Sequence, residues 1–205
     1  RTYRREPSFT VAIARDPAFN FMYEANIRYL HHLGEVTYFS PLADTSLPDA
    51  GFVYLPGGYP ELYLAALSAN RLMLQSIRRY VENGGKLLAE CGGMMYLCDE
   101  IRDKNGDVYP MAGVLHQSAT MENMKLRLGY RTLLYNDARL KGHEFHYSRL
   151  VEQQDPLPSC AVAYTAKGVE TDTPLYHYKN VWAGYTHLYW ADPAGNDWFT
   201  KFIIK

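Results

Sequence analysis

Three stretches of the chain carry side chains that could do chemistry. The first, "KLLAECGGMMYL" over residues 86–97, sets Cys91 between Glu90 and two glycines, where an apolar run breaks off. A thiol on a tight strand-to-helix turn is lifted clear of the sheet, as a nucleophile is. A helix starting at Gly92 would aim free N–H groups and its positive end at Cys91, favouring thiolate over thiol. Gly92 and Gly93 have no side chain to crowd an incoming substrate, and the Gly92 N–H can point at the oxygen of an attacked carbonyl. The second stretch, "LPGGYPE" over 55–61, could add a donor from Gly57 or Gly58 and complete a two-donor oxyanion hole. Spacing alone leaves Cys91 equally open to being a small core residue beside turn-forming glycines.

A thiol nucleophile needs a base, and the chain has seven histidines. His31 and His32 fall in a predicted helix at its surface, and His116 and His177 have no supporting pattern. The third stretch, "GHEFHY" over 142–147, looks like a shortened zinc-protease motif, but that motif needs its histidines four apart on a helix. His143 and His146 are three apart in a predicted strand, which sends them to opposite faces, so no metal is expected. His187, in "AGYTHLYW" near the end of a tyrosine-rich strand, is one candidate base among several.

These residues need elements to hold them. "FTVAIA" (9–14), "EVTYFS" (35–40), "GFVYLPGG" (51–58) and "KLLAE" (86–90) read as strands of the kind a sheet buries on both faces. Between the first two, a helix is predicted with Phe21, Ala25, Arg28, Tyr29 and Leu33 near helical spacing and Gly34 as its stop. Between the last two, Met73, Ile77, Tyr80 and Val81 share a helix face that Asn83, Gly84 and Gly85 end. A further helix is expected over "GGMMYLCDEI", carrying Cys98 about two turns beyond Cys91. This alternation predicts an α/β fold with a mostly parallel sheet, whose ligands bind beyond the carboxyl ends of the strands. From about Met121 the pattern turns to period two, a β-rich second half closed by a helix over "AGNDWFTKFIIK". Residues 9–205 read as one domain, and the basic, polar start as a linker remnant over 1–8.

Composition narrows the classes. Net charge is -1, from 21 basic and 22 acidic side chains, which gives a nucleic-acid partner no electrostatic support. Three cysteines without a close pair suggest a reducing, cytoplasmic setting rather than a disulfide framework. No apolar run is long enough to span a bilayer, so no membrane partner is expected. Most of the 18 tyrosines fall outside the apolar strands, which points to a surface that contacts something.

Taken together, "YLPGGYPELYLAAL", "GGKLLAECGGMMYLCDEI", "GHEFHYS" and "THLYW" resemble the C-terminal glutaminase domain of the cobyrinic acid a,c-diamide synthases, a class I (triad-type) glutamine amidotransferase. "VAIARDPAFNFMYEANIRYL" and "FSPLAD" match the start of that domain, so the resemblance spans nearly the whole chain. It implies a flavodoxin-like sheet, Cys91 attacking the carboxamide of glutamine, and His187 as the base. It also implies ammonia delivery to an N-terminal synthetase domain, where ATP and magnesium activate carboxylates of a corrinoid. This chain has no phosphate-binding G-x-x-x-x-G-K-[ST], so that domain is absent from it. Ala89 and Met95 stand where most of the class has Gly and Gln at the elbow. His187-Leu188-Tyr189 replaces the usual His-x-Glu, which leaves the orienting acid unassigned. Glu144 could orient the base, or form an ion pair within the β-rich half; His143 and His146 could serve the same region or an interface. Three other readings stay open: a nickel-tetrapyrrole acceptor, a stand-alone Cys hydrolase, and a decayed docking platform.

Overall fold

The computed structural model describes residues 9–204; the linker expected over 1–8 lies outside them. The first half runs β1 (Thr10–Ala14), α1 (Glu24–Leu33), β2 (Glu35–Phe39), β3 (Phe52–Leu55), a 3-10 turn Pro60–Leu62, α2 (Leu64–Ala69), α3 (Arg71–Glu82) and β4 (Leu87–Glu90). After α4 (Gly92–Leu97) come β5 (Cys98–Arg102), β6 (Val108–Pro110), β7 (Leu115–Thr120), β8 (Arg127–Tyr135), β9 (Ala138–His146) and β10 (Arg149–Leu150). The chain ends through β11 (Val162–Thr165), β12 (Glu170–Thr171), β13 (Leu175–Tyr178), β14 (Val181–Gly184), β15 (His187–Tyr189), α5 (Pro193–Trp198) and a π-helical segment Phe199–Ile204.

The main sheet has the order β13-β14-β4-β3-β1-β2, with β14, β4, β3, β1 and β2 all parallel and β13 antiparallel at one edge. The two halves of the chain are therefore not side by side. The second half donates β14 to the sheet of the first, next to the strand that leads to Cys91. Alternation along these strands splits the core in two. Ala12, Val53, Leu55, Leu87 and Ala89 face Met73, Ile77 and Val81 of α3 on one side. Val11, Ile13, Phe52, Tyr54 and Leu88 face Leu30 of α1 with Trp190, Trp198 and Phe199 on the other. β2, at the exposed edge, buries only Phe39 completely.

Two helical expectations are corrected. The helix expected over "GGMMYLCDEI" stops after Leu97, and Cys98 opens β5 in a second sheet, order β10-β7-β5-β6. The Cys98 residue is pinned there by a bond from the Gly113 N–H to its carbonyl, 2.9 Å long. The first helix begins at Glu24, and it buries Asn26 and Leu30, whereas Arg28 points to solvent in an ion pair with Glu24. An asparagine at the centre of a buried face is invisible to a search for apolar periodicity. The α3 expectation holds, with Asn70 capping its start and Gly84, at φ 86, ending it.

A third sheet, order β12-β11-β8-β9-β15, completes the β-rich half. Its β8–β9 pair is a nine-residue antiparallel ladder that brings "GHEFHYS" over the elbow.

Candidate active site

Cys91 sits at the tip of β4 with φ 52 and ψ -108, a conformation that costs energy for any residue with a Cβ. It is held there by its N–H bonding the Gly184 carbonyl at 2.7 Å and its own carbonyl taking the Met95 N–H at 3.0 Å. This is the lifted turn expected of a nucleophile. Added Cβ atoms show why the surrounding glycines are needed. At Gly93 one would sit 2.2 Å from the Leu55 carbonyl oxygen, and at Gly92 one would lie 2.7 Å from the Pro60 ring. Strand, elbow and "PGGYPE" turn are thus in backbone contact.

Burial works against the expected thiolate. Cys91 is 4% exposed, and burial pushes its thiol well above the ordinary range, with the charge of Glu61 adding to the effect and the Gly92 N–H opposing it. α4 is only six residues long, too short for the helix end to reverse this. The S–H lies 3.6 Å from the Phe145 carbonyl, to which it donates. A neutral thiol needs a proton acceptor before it can attack.

His187 has the right character. Its imidazole is buried, its Nδ1 has no hydrogen-bond partner among the described residues, and burial together with His143 and His146 lowers its pKa to about 4. It is therefore neutral at physiological pH and free to take a proton. The ring meets Phe21 edge-on at 4.5 Å, and a Cβ on Gly57 would come within 2.2 Å of its Cε1. The "PGG" turn thus touches the histidine through Gly57 and the elbow through Gly58, whose carbonyl lies 3.0 Å from the Cβ position of Gly92.

The turn also sorts the three glycines named for the oxyanion hole. The Gly57 N–H is already given to the Phe21 carbonyl at 3.1 Å, and the Phe21 N–H returns to the Gly57 carbonyl at 3.0 Å. Gly57 is a fixed wall for His187 and not a free donor, which corrects that part of the expectation. Gly58 and Gly92 remain as the facing pair. Gly58 has φ 152, and a Cβ there would meet the Ala18 carbonyl oxygen at 2.2 Å.

Glu144 does not reach for His187. It lies almost fully buried beneath the hairpin, with Arg127 Nε at 2.7 Å, Arg131 Nε at 3.4 Å and the Thr173 hydroxyl at 2.5 Å. Burial by itself would raise this carboxyl; hydrogen bonds from His146 and Thr173 and the charge of Arg127 outweigh it and hold it at about 2. His146 stands with Nε2 3.2 Å from Glu144 and Nδ1 2.7 Å from the Ser148 carbonyl, and it stacks on Tyr185 at 3.6 Å. Both of its nitrogens are occupied, so it is a poor competitor for the role of base. His143 is half-exposed between Tyr130 and Phe145 and pairs across the ladder with His187. Among the described residues no three His, Cys, Asp or Glu side chains gather as metal ligands do.

Two residues missed in the sequence fix the backbone next to His187 from behind. Glu90, 2% exposed, accepts the Tyr54 hydroxyl at 2.5 Å and the Leu188 N–H at 2.7 Å. Asn26 donates to the Leu188 carbonyl at 2.8 Å and accepts the Trp190 N–H at 3.1 Å. The residue after His187 is gripped at both of its peptide groups, so the backbone, rather than the imidazole, is what gets oriented. Burial raises the Glu90 carboxyl to about 8 despite its two donors. A carboxylate ending an apolar buried strand was the available signal.

A mostly parallel sheet with a strained cysteine at a strand-to-helix joint, and a turn that touches both that joint and a buried histidine, fits a glutamine-amidotransferase-like fold. Solved structures support that class: a chain titled "Structure of PurLQS from Thermotoga maritima" aligns with a TM-score of 0.59 at 18% identity, over 88% of this chain and 87% of that one. Another, titled "Crystal structure of glutamine amidotransferase", aligns at 0.60 and 15% identity, over 94% and 98%. The chain belongs to the CobB/CobQ-like glutamine amidotransferase domain family, whose sequence model matches residues 10–195. Among curated relatives, the cobyrinate a,c-diamide synthase of Fusobacterium nucleatum is 41% identical over 87% of this chain and 41% of its own length. The hydrogenobyrinate a,c-diamide synthase of Pseudomonas aeruginosa is 39% identical over the same shares. The chain spans about two fifths of the length of these relatives.

Proposed function

We propose that this chain is the glutaminase part of a cobyrinate or hydrogenobyrinate a,c-diamide synthase, supplying ammonia for amidation of the a and c carboxylates. In that reading His187 takes the Cys91 proton as sulfur bonds to the carboxamide carbon of glutamine. The Gly92 and Gly58 N–H groups receive the developing oxyanion. The C–N bond then breaks, the histidine's proton leaves with ammonia, and a γ-glutamyl thioester remains. Water activated by the same histidine hydrolyses it to glutamate and restores the thiol.

The observation that carries this reading is the strained, buried Cys91 facing a turn that also walls His187, whose buried Nδ1 has no hydrogen-bond partner among the described residues. ATP and magnesium would belong to the part of the relatives' length that this chain does not span. Exposed Phe21, Tyr59, Leu62 and Tyr147 near the elbow turn and hairpin offer an apolar rim for that part to cover. A nickel-tetrapyrrole acceptor would use the same chemistry in this chain.

The test is covalent. Diazo-oxo-norleucine, a glutamine-like electrophile, should label Cys91 stoichiometrically and spare Cys98 and Cys160, as peptide mass mapping would show. Labelling mainly at Cys98 or Cys160 overturns the assignment. With a full-length relative-sized protein, ATP and cobyrinate, glutamine-dependent diamide formation should depend on Cys91. Ammonia release by this chain alone should be ~100- to 1,000-fold weaker, the cost of one unaligned oxyanion donor. Equal rates would show a hole already formed.

A further inference from the structure

Three carboxylates bear on the Cys91 thiol: Glu61, then Glu144, then Glu90. Two are used up. Glu144 holds Arg127, Arg131, His146 and Thr173, and Glu90 holds Tyr54 and the Leu188 N–H. Glu61 is different. Its Oε2 is buried and has no hydrogen-bond partner among the described residues. An unpaired carboxylate oxygen out of water costs free energy, which is why burial raises the Glu61 carboxyl above its ordinary value.

The placement of Glu61 is fixed by the fold. It sits in the 3-10 turn Pro60–Leu62, whose Pro60 ring lies against the Gly92 position of the elbow. The charge of His146 bears on it, and its own charge reaches Tyr185 and Tyr59, on which Cys91 also bears. In glutamine the α-ammonium lies within about 5 Å of the carboxamide carbon by ordinary bond lengths. A group that holds that ammonium must therefore stand close to the nucleophile. It must also carry a negative charge that nothing in the protein already neutralises.

We infer that Glu61 is the acceptor for the α-ammonium group of the amide substrate, its buried Oε2 being an acidic oxygen near Cys91 with no partner among the described residues. This rests on the glutaminase reading above. It assigns to the "PGGYPE" turn a specificity role beyond shaping the oxyanion hole. An ammonium bound there favours the ionised carboxylate and gives the unpaired oxygen a partner, so recognition and desolvation are settled in one contact. The carboxamide alone, without the amine, would gain nothing from it.

Protection of Cys91 tests this without turnover. Iodoacetamide, small and uncharged, alkylates the thiol in this 205-residue chain, and glutamine or glutaramate is added as competitor. Glutaramate keeps the carboxamide and the carboxylate but lacks the amine. In the wild-type chain glutamine should protect at ~10- to 100-fold lower concentration than glutaramate, the range of a hydrogen bond to a charged group. In Glu61→Gln that advantage should vanish, while unprotected alkylation is no slower, because a charge that raises the thiol has gone. Glu61→Asp, with the charge on a shorter arm, should keep part of the advantage and shows that loss in the glutamine variant is not misfolding. An advantage that persists in Glu61→Gln, or equal protection by both compounds in the wild type, overturns the subsite alone. Failure of glutamine to protect the wild-type thiol at any concentration overturns the glutaminase reading, and the subsite with it.

Discussion

Two buried carboxyl groups bear on Cys91, and the protein holds them in opposite states. Glu90, in the parallel sheet, has only a tyrosine hydroxyl and one peptide N–H for company, and burial lifts it to about 8. Glu144, in the β8–β9 hairpin, has two arginines, a histidine and a threonine, and it stays ionised down to about 2. Burial is common to both, so partners decide the charge. The elbow region positions a reaction through near-neutral groups. The hairpin region is an ionic frame that locks β9 over it. The same contrast separates the histidines, since His146 is absorbed by the frame and His187 is left with a free nitrogen.

The largest effect should come from the elbow. Cys91→Ala is expected to abolish labelling by diazo-oxo-norleucine and to cut glutamine hydrolysis by ~10,000-fold or more, with unchanged thermal unfolding. Residual hydrolysis near wild type would move the chemistry elsewhere.

Next, His187→Asn should lower hydrolysis by ~100- to 10,000-fold, whereas His146→Asn should act mainly on stability. Since His187 titrates at about 4, kcat/KM should hold its value on the acid side until close to that pH, where the protonated ring can no longer accept. An acid limb at the ordinary 6.5, or an equal loss from His146→Asn, would assign the base wrongly.

Removing the frame should cost the fold more than the chemistry. Glu144→Ala strands Arg127 and Arg131 and is expected to destabilise by about 3–5 kcal/mol, read from urea unfolding. Glu144 is depressed on folding, so its contribution is full above pH 4.5 and drains away as pH falls toward 2. The variant should therefore lose the acid-side slope of the wild type over that window.

The smallest effect is expected from Glu90→Gln, whose amide can donate to Tyr54 while its carbonyl keeps the Leu188 N–H. Because folding raises Glu90, the wild type loses stability as pH climbs from 4.5 to about 8, the opposite sign to Glu144. The difference between wild type and Glu90→Gln should change over that interval and be flat above it. A flat difference throughout would mean that Glu90 is ionised in the folded protein at neutral pH.

Much of this was readable in the residues. Short apolar runs gave the strands β1, β3 and β4, and the glycine-marked joint gave the elbow, because backbone sterics act locally. What escaped the reading depends on meeting across the chain. Asn26 and Glu90 sit in elements assigned by apolar pattern, and their bonds to Leu188 in β15 come from 162 and 98 residues away. Cys98 looked helical because "MMYLCDEI" favours a helix locally, yet β5 is drawn into a sheet by β6 and β7. The thiolate expectation is opposed by burial for a related reason. The helix end that should have supported it is one and a half turns long, while burial comes from the whole fold.

The position of β14 has a consequence for how the molecule is made. β4 cannot be flanked on both sides until Val181–Gly184 has been synthesised, about ninety residues after the strand it joins. Contacts between such distant segments close late and slowly. The carbonyl that anchors Cys91 belongs to Gly184, so a nascent or truncated chain carries the cysteine without the strained turn. An incomplete copy released from the ribosome would lack that anchor, and the strained turn at Cys91 forms only once β14 has joined β4.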